Sequence, residues 1–182
     1  MVAFSFDPTH AVRFDLPRGS VRTRGDDDRV LLVPAAALDD LVRSASPEAV
    51  ETLGRALGAA IGRRAAVRMG DPQGASMDSF VAQLAGEAAI AGVGALSIER
   101  WGRALVVVVE DSPLVGTLLA PIVSSALEAA SGRRTWCALL SRDDRIARLL
   151  VGSEHAIGRV RGWIASGVGW SEAVVRLHGG GA

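Results

Sequence analysis

A chain of 182 residues with 49% apolar content can bury the core of one domain, which excludes a disordered protein. Twenty acidic and twenty basic residues give a formal net charge of zero, so composition predicts neither a nucleic-acid partner nor an anionic membrane surface. Every basic residue is arginine, a bias that a GC-rich bacterial genome explains without phosphate recognition. Cys137 is the only cysteine, which excludes an internal disulfide and a cysteine-cluster metal site.

The beginning of the chain predicts no targeting segment. Met1–Pro8 lacks the basic start and long apolar run of a signal peptide. Elsewhere, charge or glycine interrupts each apolar stretch well short of the ~20 residues that span a bilayer. We therefore expect a cytoplasmic protein with no membrane partner.

Residues 1–28 are predicted to form an extended lead-in. Val12–Leu16 alternates apolar and charged residues, as a half-exposed strand does. Pro17–Ser20 is typical of a turn, and Val21–Thr23 is a candidate return strand. The apolar run Val30–Val33 is predicted to be a short buried strand.

Three helices are predicted next. Residues 35–44 form the first. The second begins with Ser46 as N-cap and Pro47 at its first position, and it runs to about Met69. Ser76 caps the third, which runs to about residue 91. Its apolar stripe consists of Met77, Phe80, Val81, Leu84 and Ala88.

Two hairpins are predicted in the second half of the chain. The first joins Leu96–Trp101 to Leu105–Val109, a continuous aliphatic run that predicts a central strand covered on both faces. The second joins Thr135–Leu140 to Arg145–Val151. Because hairpins imply antiparallel pairing, the predicted fold class is α+β, with an antiparallel sheet packed against several helices.

Helices are predicted between and after these hairpins. The first of them covers about 114–130, with Asp111 or Ser112 as its N-cap, and Pro121 should kink or split it. Two further helices begin near Ser153 and Ser171. Residues 179–182 are expected to be a frayed tail.

Gly54, Gly58 and Gly62 form a ridge of glycines along the second helix. Each costs about 1 kcal/mol relative to alanine in a helix, so close packing must compensate. The neighbour could be another helix of the same chain, a second copy in a homodimer, or a ligand. Drift of the ridge around the axis favours a crossing helix over a parallel one.

No catalytic set or metal site emerges from the sequence. His10, His155 and His178 lie far apart and lack partners at metal-ligand spacing. There is no nucleophile elbow, dinucleotide fingerprint or phosphate loop. We therefore predict a non-enzymatic protein without a cofactor, metal or catalytic residue.

Trp101 and Trp136 lie on predicted strands, where they either line an apolar pocket or fill the core. Cys137 is expected to be an ordinary buried thiol if it shares a face with Leu139. The alternative is a reactive or acylated cysteine. The candidate ligand-binding residues are Gly58, Gly62, Trp101, Trp136 and Cys137.

Four segments in order carry a resemblance to a known family. They are the helix Glu51–Arg64, the helix Ser76–Ala85, the strand and turn Val106–Pro113, and a long helix followed by a closing hairpin. With this order and spacing, Val30–Val151 resembles the 4-vinyl-reductase domain family, also described as hydrocarbon-binding and related in fold to TRAPP complex subunits.

This resemblance implies a TRAPP-subunit-like fold, often a homodimer, with a pocket for small apolar or aromatic molecules. In several members, cysteines of the closing hairpin bind zinc, whereas Ser141 and Ala147 stand near those positions here. The resemblance therefore implies neither a zinc site nor reductase activity for this chain. It divides the chain into a core, 29–152, and a helical extension, 153–178.

Two functions are compatible with these features. The first is a dimeric, non-catalytic binding domain for a small hydrophobic or aromatic ligand. The alternative is a TRAPP-like interaction or scaffold domain that contacts a protein partner and has a filled interior.

Overall fold

The computed structural model describes residues 6–9, 11–24, 29–72 and 74–179, and it has the predicted α+β architecture. The polar loop at 25–28 and the tail beyond residue 179 lie outside the described residues. None of the helices described is long and apolar enough to cross a membrane.

A small antiparallel sheet begins the described chain. Its strands are β1 (Val12–Asp15), β2 (Ser20–Thr23) and β3 (Arg29–Val30), in the order β1-β2-β3. The predicted hairpin is confirmed, but the predicted buried strand Val30–Val33 is wrong. Pairing stops at Val30, and Leu31 and Leu32 are 89% and 73% exposed. The run follows an edge strand of this small sheet, so no described element covers it.

Three helices follow at the predicted positions. They are α1 (Ala35–Ser44), α2 (Pro47–Met69) and α3 (Met77–Ile90). Both predicted serine caps are confirmed, because the Ser46 and Ser76 hydroxyls accept hydrogen bonds from the backbone N–H groups of Ala49 and Ser79. These caps satisfy N–H groups that a helix leaves without partners in its first turn.

The main sheet is antiparallel, with strand order β4-β5-β7-β6. Its strands are β4 (Ala95–Trp101), β5 (Ala104–Glu110), β6 (Trp136–Arg142) and β7 (Ile146–Gly152). Both predicted hairpins are confirmed. Strand β5 is buried on both faces, as its aliphatic run predicts, because Val107 and Val109 join one core while Val106 and Val108 join the other.

Helices cover both faces of this sheet. The face that bears Val107 packs against α2, α3 and α4 (Gly116–Ser131). The opposite face packs against α5 (Glu154–Ala165) and α6 (Trp170–Gly179). The result is three layers in which β6 and β4 are the outer strands of the middle one.

The start of α4 differs from the prediction. Its N-cap is Val115, so neither Asp111 nor Ser112 caps it. Asp111 instead adopts a left-handed backbone with φ 52° and pairs with Arg145 across the sheet end at 2.7 Å. The Ser112 hydroxyl accepts a hydrogen bond from the Leu114 N–H within a local turn. Pro121 does not split the helix, which is continuous through it.

The glycine ridge packs against α4 of the same chain. A Cβ at Gly54 would lie 2.6 Å from Pro121 Cγ, and one at Gly62 would lie 2.8 Å from Ala129 Cβ. A Cβ at Gly58 would lie 2.9 Å from the carbonyl carbon of Ile122 and even nearer its oxygen. The contacts advance in the same direction along both helices, from Gly54 opposite Pro121 to Gly62 opposite Ala129. Of the three possible neighbours, the ridge therefore meets another helix of the same chain.

A buried ion cluster joins α2 to α3. The side chain of Glu87 is 2% exposed and bonds to Arg64 Nε at 2.8 Å and to Arg68 Nε. The guanidinium of Arg68 also lies under the Phe6 ring, 4.7 Å from its centroid. That ring fills the space left by the missing side chain of Gly86. The N-terminal segment is thereby anchored to the helical layer.

Candidate ligand-binding cleft

A cleft of about 670 Å³ lies at the β6 edge of the main sheet. The first turns of α2 and the N-terminal half of α4 form one wall, and α5 forms the other. We call it the α4–α5 cleft. It exists because the helical layers on the two faces of the sheet meet around an outer strand that has no further strand to cover it.

The interior of the α4–α5 cleft is mainly apolar. Its buried or half-buried apolar residues are Val42, Ala45, Val50, Ala120, Pro121, Trp136, Cys137 and Ile157. Ser124 is the buried polar residue of this lining, and its hydroxyl donates to the Thr135 carbonyl. The buried part of the lining is therefore apolar apart from Ser124, whose hydroxyl hydrogen is already donated to the backbone.

Charged side chains form the rim of the cleft. Glu51 and Arg55 come from α2, and Glu154 and Arg161 from α5, all of them exposed. Two acids and two bases leave the rim with no net charge. Such an arrangement surrounds an apolar interior with polar groups that can orient a ligand.

Two of the five predicted ligand-binding residues line this cleft, namely Trp136 and Cys137. Trp101 lies on the opposite outer strand, where its ring packs 4.9 Å from that of Trp170 and its Nε1 donates to Glu99. Gly58 and Gly62 face the α4 backbone and do not line the cleft. The ridge instead holds together the two helices that form one wall.

The Cys137 side chain shares the apolar core with Leu139, as predicted for a buried thiol, and the residue is 1% exposed. Burial raises the pKa of the Cys137 thiol from its ordinary value of 9.0 to about 12, although the positive charge of Arg161 opposes this rise. At neutral pH the thiol is therefore neutral and a poor nucleophile.

We expect iodoacetamide to label native Cys137 far more slowly than the chain unfolded in urea. At pH 8 the higher pKa alone lowers the thiolate fraction about a thousandfold. Because the unfolded thiol ionises first, the free energy of unfolding should also fall as pH rises from 9.0 toward 12. Mass spectrometry of timed samples measures the labelling, and fast labelling of the folded chain would contradict the buried assignment.

The described residues offer no metal centre in place of the hairpin zinc site that several members of the resembling family have. No group of three or more His, Cys, Asp or Glu side chains in the described ranges is placed to hold a metal ion. Among the histidines, His155 is exposed on α5, while His10 and the side chain of His178 lie outside what the structure describes.

The contribution of α5 was not predicted from the sequence. Ile157, Gly158 and Arg161 follow one another at helical spacing on one face of this helix and all line the cleft. That spacing is visible in the sequence. The sequence does not show that this face of α5 lies opposite the N-terminal half of α4 at the edge of the sheet.

The fold and the cleft define a three-layer α+β domain with a small-molecule-sized cleft at a sheet edge. No protein-family model matches the chain, and no curated protein matches it significantly. The resemblance to the 4-vinyl-reductase family thus stays a prediction.

Among solved structures, the fold is similar to the phenol-responsive sensory domain of the transcription activator PoxR, crystallised with phenol. The TM-score is 0.61 at 15% sequence identity, covering 79% of this chain and 85% of that one. At this identity the likeness shows a shared fold.

Proposed function

We propose that this chain is a non-catalytic domain that binds a small hydrophobic or aromatic molecule in the α4–α5 cleft, and that it acts as a homodimer. The observation that carries the proposal is a cleft of about 670 Å³ that combines buried apolar side chains with four charged ones at its rim. Ligand pockets in proteins span about 300–1,000 Å³ and combine mainly apolar walls with a few polar groups. The similarity in fold to a sensory domain crystallised with phenol supports this function.

Gly158→Leu should weaken ligand binding to the α4–α5 cleft at least tenfold. Gly158 lines the cleft, and a Cβ built there meets no atom within 4 Å, so a side chain at this position begins in open space. The new side chain occupies the volume that a ligand needs. We would measure the fluorescence of the neutral apolar probe N-phenylnaphthylamine and expect at least a tenfold loss of affinity, because fully burying a leucine-sized group contributes about 1.5–3 kcal/mol.

Gly162→Leu provides the matched control on the same helix. Gly162 is also in open space but does not line the cleft. Both substitutions improve helix propensity by about 1 kcal/mol, so neither should unfold the chain. Equal probe binding by both variants would show that the probe does not occupy the α4–α5 cleft.

A protein-interaction role is the second candidate function, and exposed apolar surface near the N-terminal sheet favours it. Leu31 and Leu32 directly follow the edge strand β3 and are exposed, and Phe14 and Leu16 are exposed as well. Exposed apolar patches and unpaired strand edges are common at protein–protein interfaces. Native mass spectrometry separates the candidates, because a reproducible bound small molecule supports the first and a ligand-free dimer that captures a defined protein partner supports the second.

A further inference from the structure

Arg161 differs from the other charges on the rim of the cleft. Its Nη2 donates to the carbonyl of Cys137 at 2.7 Å, so the guanidinium reaches the buried backbone of β6. Within the described part of the chain, no carboxylate forms an ion pair with it. A guanidinium has five N–H donors, and the neutral carbonyl accepts from one of them. Arg161 thus brings an uncompensated positive charge and spare donors to the apolar interior.

The remaining rim charges are compensated. Arg55 pairs with Glu51 on the same helix at 3.7 Å. Glu154 lies in the first turn of α5, where the positive end of the helix stabilises a carboxylate. It precedes Arg161 by seven residues, which separates the two by about 10 Å along the helix axis. Neither Glu51 nor Glu154 therefore neutralises Arg161, whose charge can interact with a ligand.

From this asymmetry we infer that the ligand of the α4–α5 cleft is a small aromatic carboxylate. Its ring lies against the apolar interior beside Trp136, and its carboxylate accepts hydrogen bonds from Arg161. The planar guanidinium fork matches the geometry of a carboxylate, and charge-assisted pairs of this kind are the strong ones. The inference rests on the proposed function, because it assigns the chemical class of the ligand for that cleft.

Calorimetric titration with naphthoate and with naphthamide tests the inference. The two compounds have nearly the same shape, but only naphthoate carries a charge. We expect the native chain to bind naphthoate about ten- to a hundredfold more tightly than naphthamide. Arg161→Gln should remove this preference and leave naphthamide binding intact. Arg159→Gln is the matched control, because Arg159 lies on the same helix over the Trp163 ring and does not line the cleft.

The outcomes separate the inference from the proposed function. If naphthamide binds the native chain as tightly as naphthoate, the carboxylate assignment is wrong while an apolar cleft survives. The assignment is equally wrong if Arg161→Gln and Arg159→Gln keep the same preference. Failure of both compounds to bind, or binding that Gly158→Leu leaves unchanged, overturns the proposed cleft function itself. The comparison in the native chain needs no variant, so it stands even if Arg161→Gln folds poorly.

Discussion

Replacing Gly58 with alanine should lower the free energy of unfolding by about 3 kcal/mol, because the new Cβ would overlap the α4 backbone. It would lie 2.9 Å from the Ile122 carbonyl carbon and nearer still to its oxygen, and a helix backbone cannot rotate away as a side chain can. The helix propensity of alanine returns only about 1 kcal/mol. Domains of this size are stable by about 5–15 kcal/mol, so the loss is a large fraction of the total. Urea unfolding followed by tryptophan fluorescence measures it.

Gly162→Ala is the control for this experiment, since Gly162 lies in a helix with no atom within 4 Å of a built Cβ. It should raise stability by up to about 1 kcal/mol through helix propensity alone. If Gly58→Ala proved as stable as Gly162→Ala, the two helices could not be as close as the structure places them. Because α2 and α4 also form a wall of the cleft, Gly58→Ala should weaken ligand binding as well as folding.

Secondary structure could be predicted wherever a local rule determines it. The bounds of α2 follow from Ser46 and Pro47 at one end and Gly70 at the other, and those residues act within one helical turn. Similarly, Gly102 adopts a positive φ of 62° in the turn that joins β4 to β5. The helical ridge of glycines also predicted close packing correctly, because a cost of that size in one helix needs compensation.

Features that depend on tertiary position could not be predicted. Leu31 and Leu32 belong to an apolar run like that of a buried strand. Their burial depends on whether the run pairs within a sheet that other elements cover, and the sequence does not show this. The N-cap prediction for Asp111 failed because Arg145, distant in sequence, supplies its partner. The α4–α5 cleft escaped prediction for the same reason, since its walls meet across a sheet edge.

The ion cluster around Glu87 also depends on tertiary position, because its arginines come from another helix. Substituting Glu87 should lower the free energy of unfolding as strongly as substituting Gly58. Its position three residues after Leu84 places it on the buried face of α3, and Arg64 and Arg68 lie one turn apart on α2. Glu87→Gln removes the negative charge and leaves two largely buried guanidinium groups without compensation. Breaking a buried pair in this way costs about 3–5 kcal/mol. Urea unfolding at pH 7 measures the loss.

The same substitution at Glu172 is the control, because Glu172 pairs with Arg176 at 2.6 Å on the exposed surface of α6. Surface pairs of this kind contribute at most about 1 kcal/mol, so Glu172→Gln should change stability little.

A second comparison separates charge from packing. Replacing Glu87, Arg64 and Arg68 together with Leu or Met removes all three charges, and it should recover most of the loss. If the triple variant is less stable than Glu87→Gln, compensation of charge is not the main contribution of the cluster to stability. The contact of Arg68 with the Phe6 ring then contributes more.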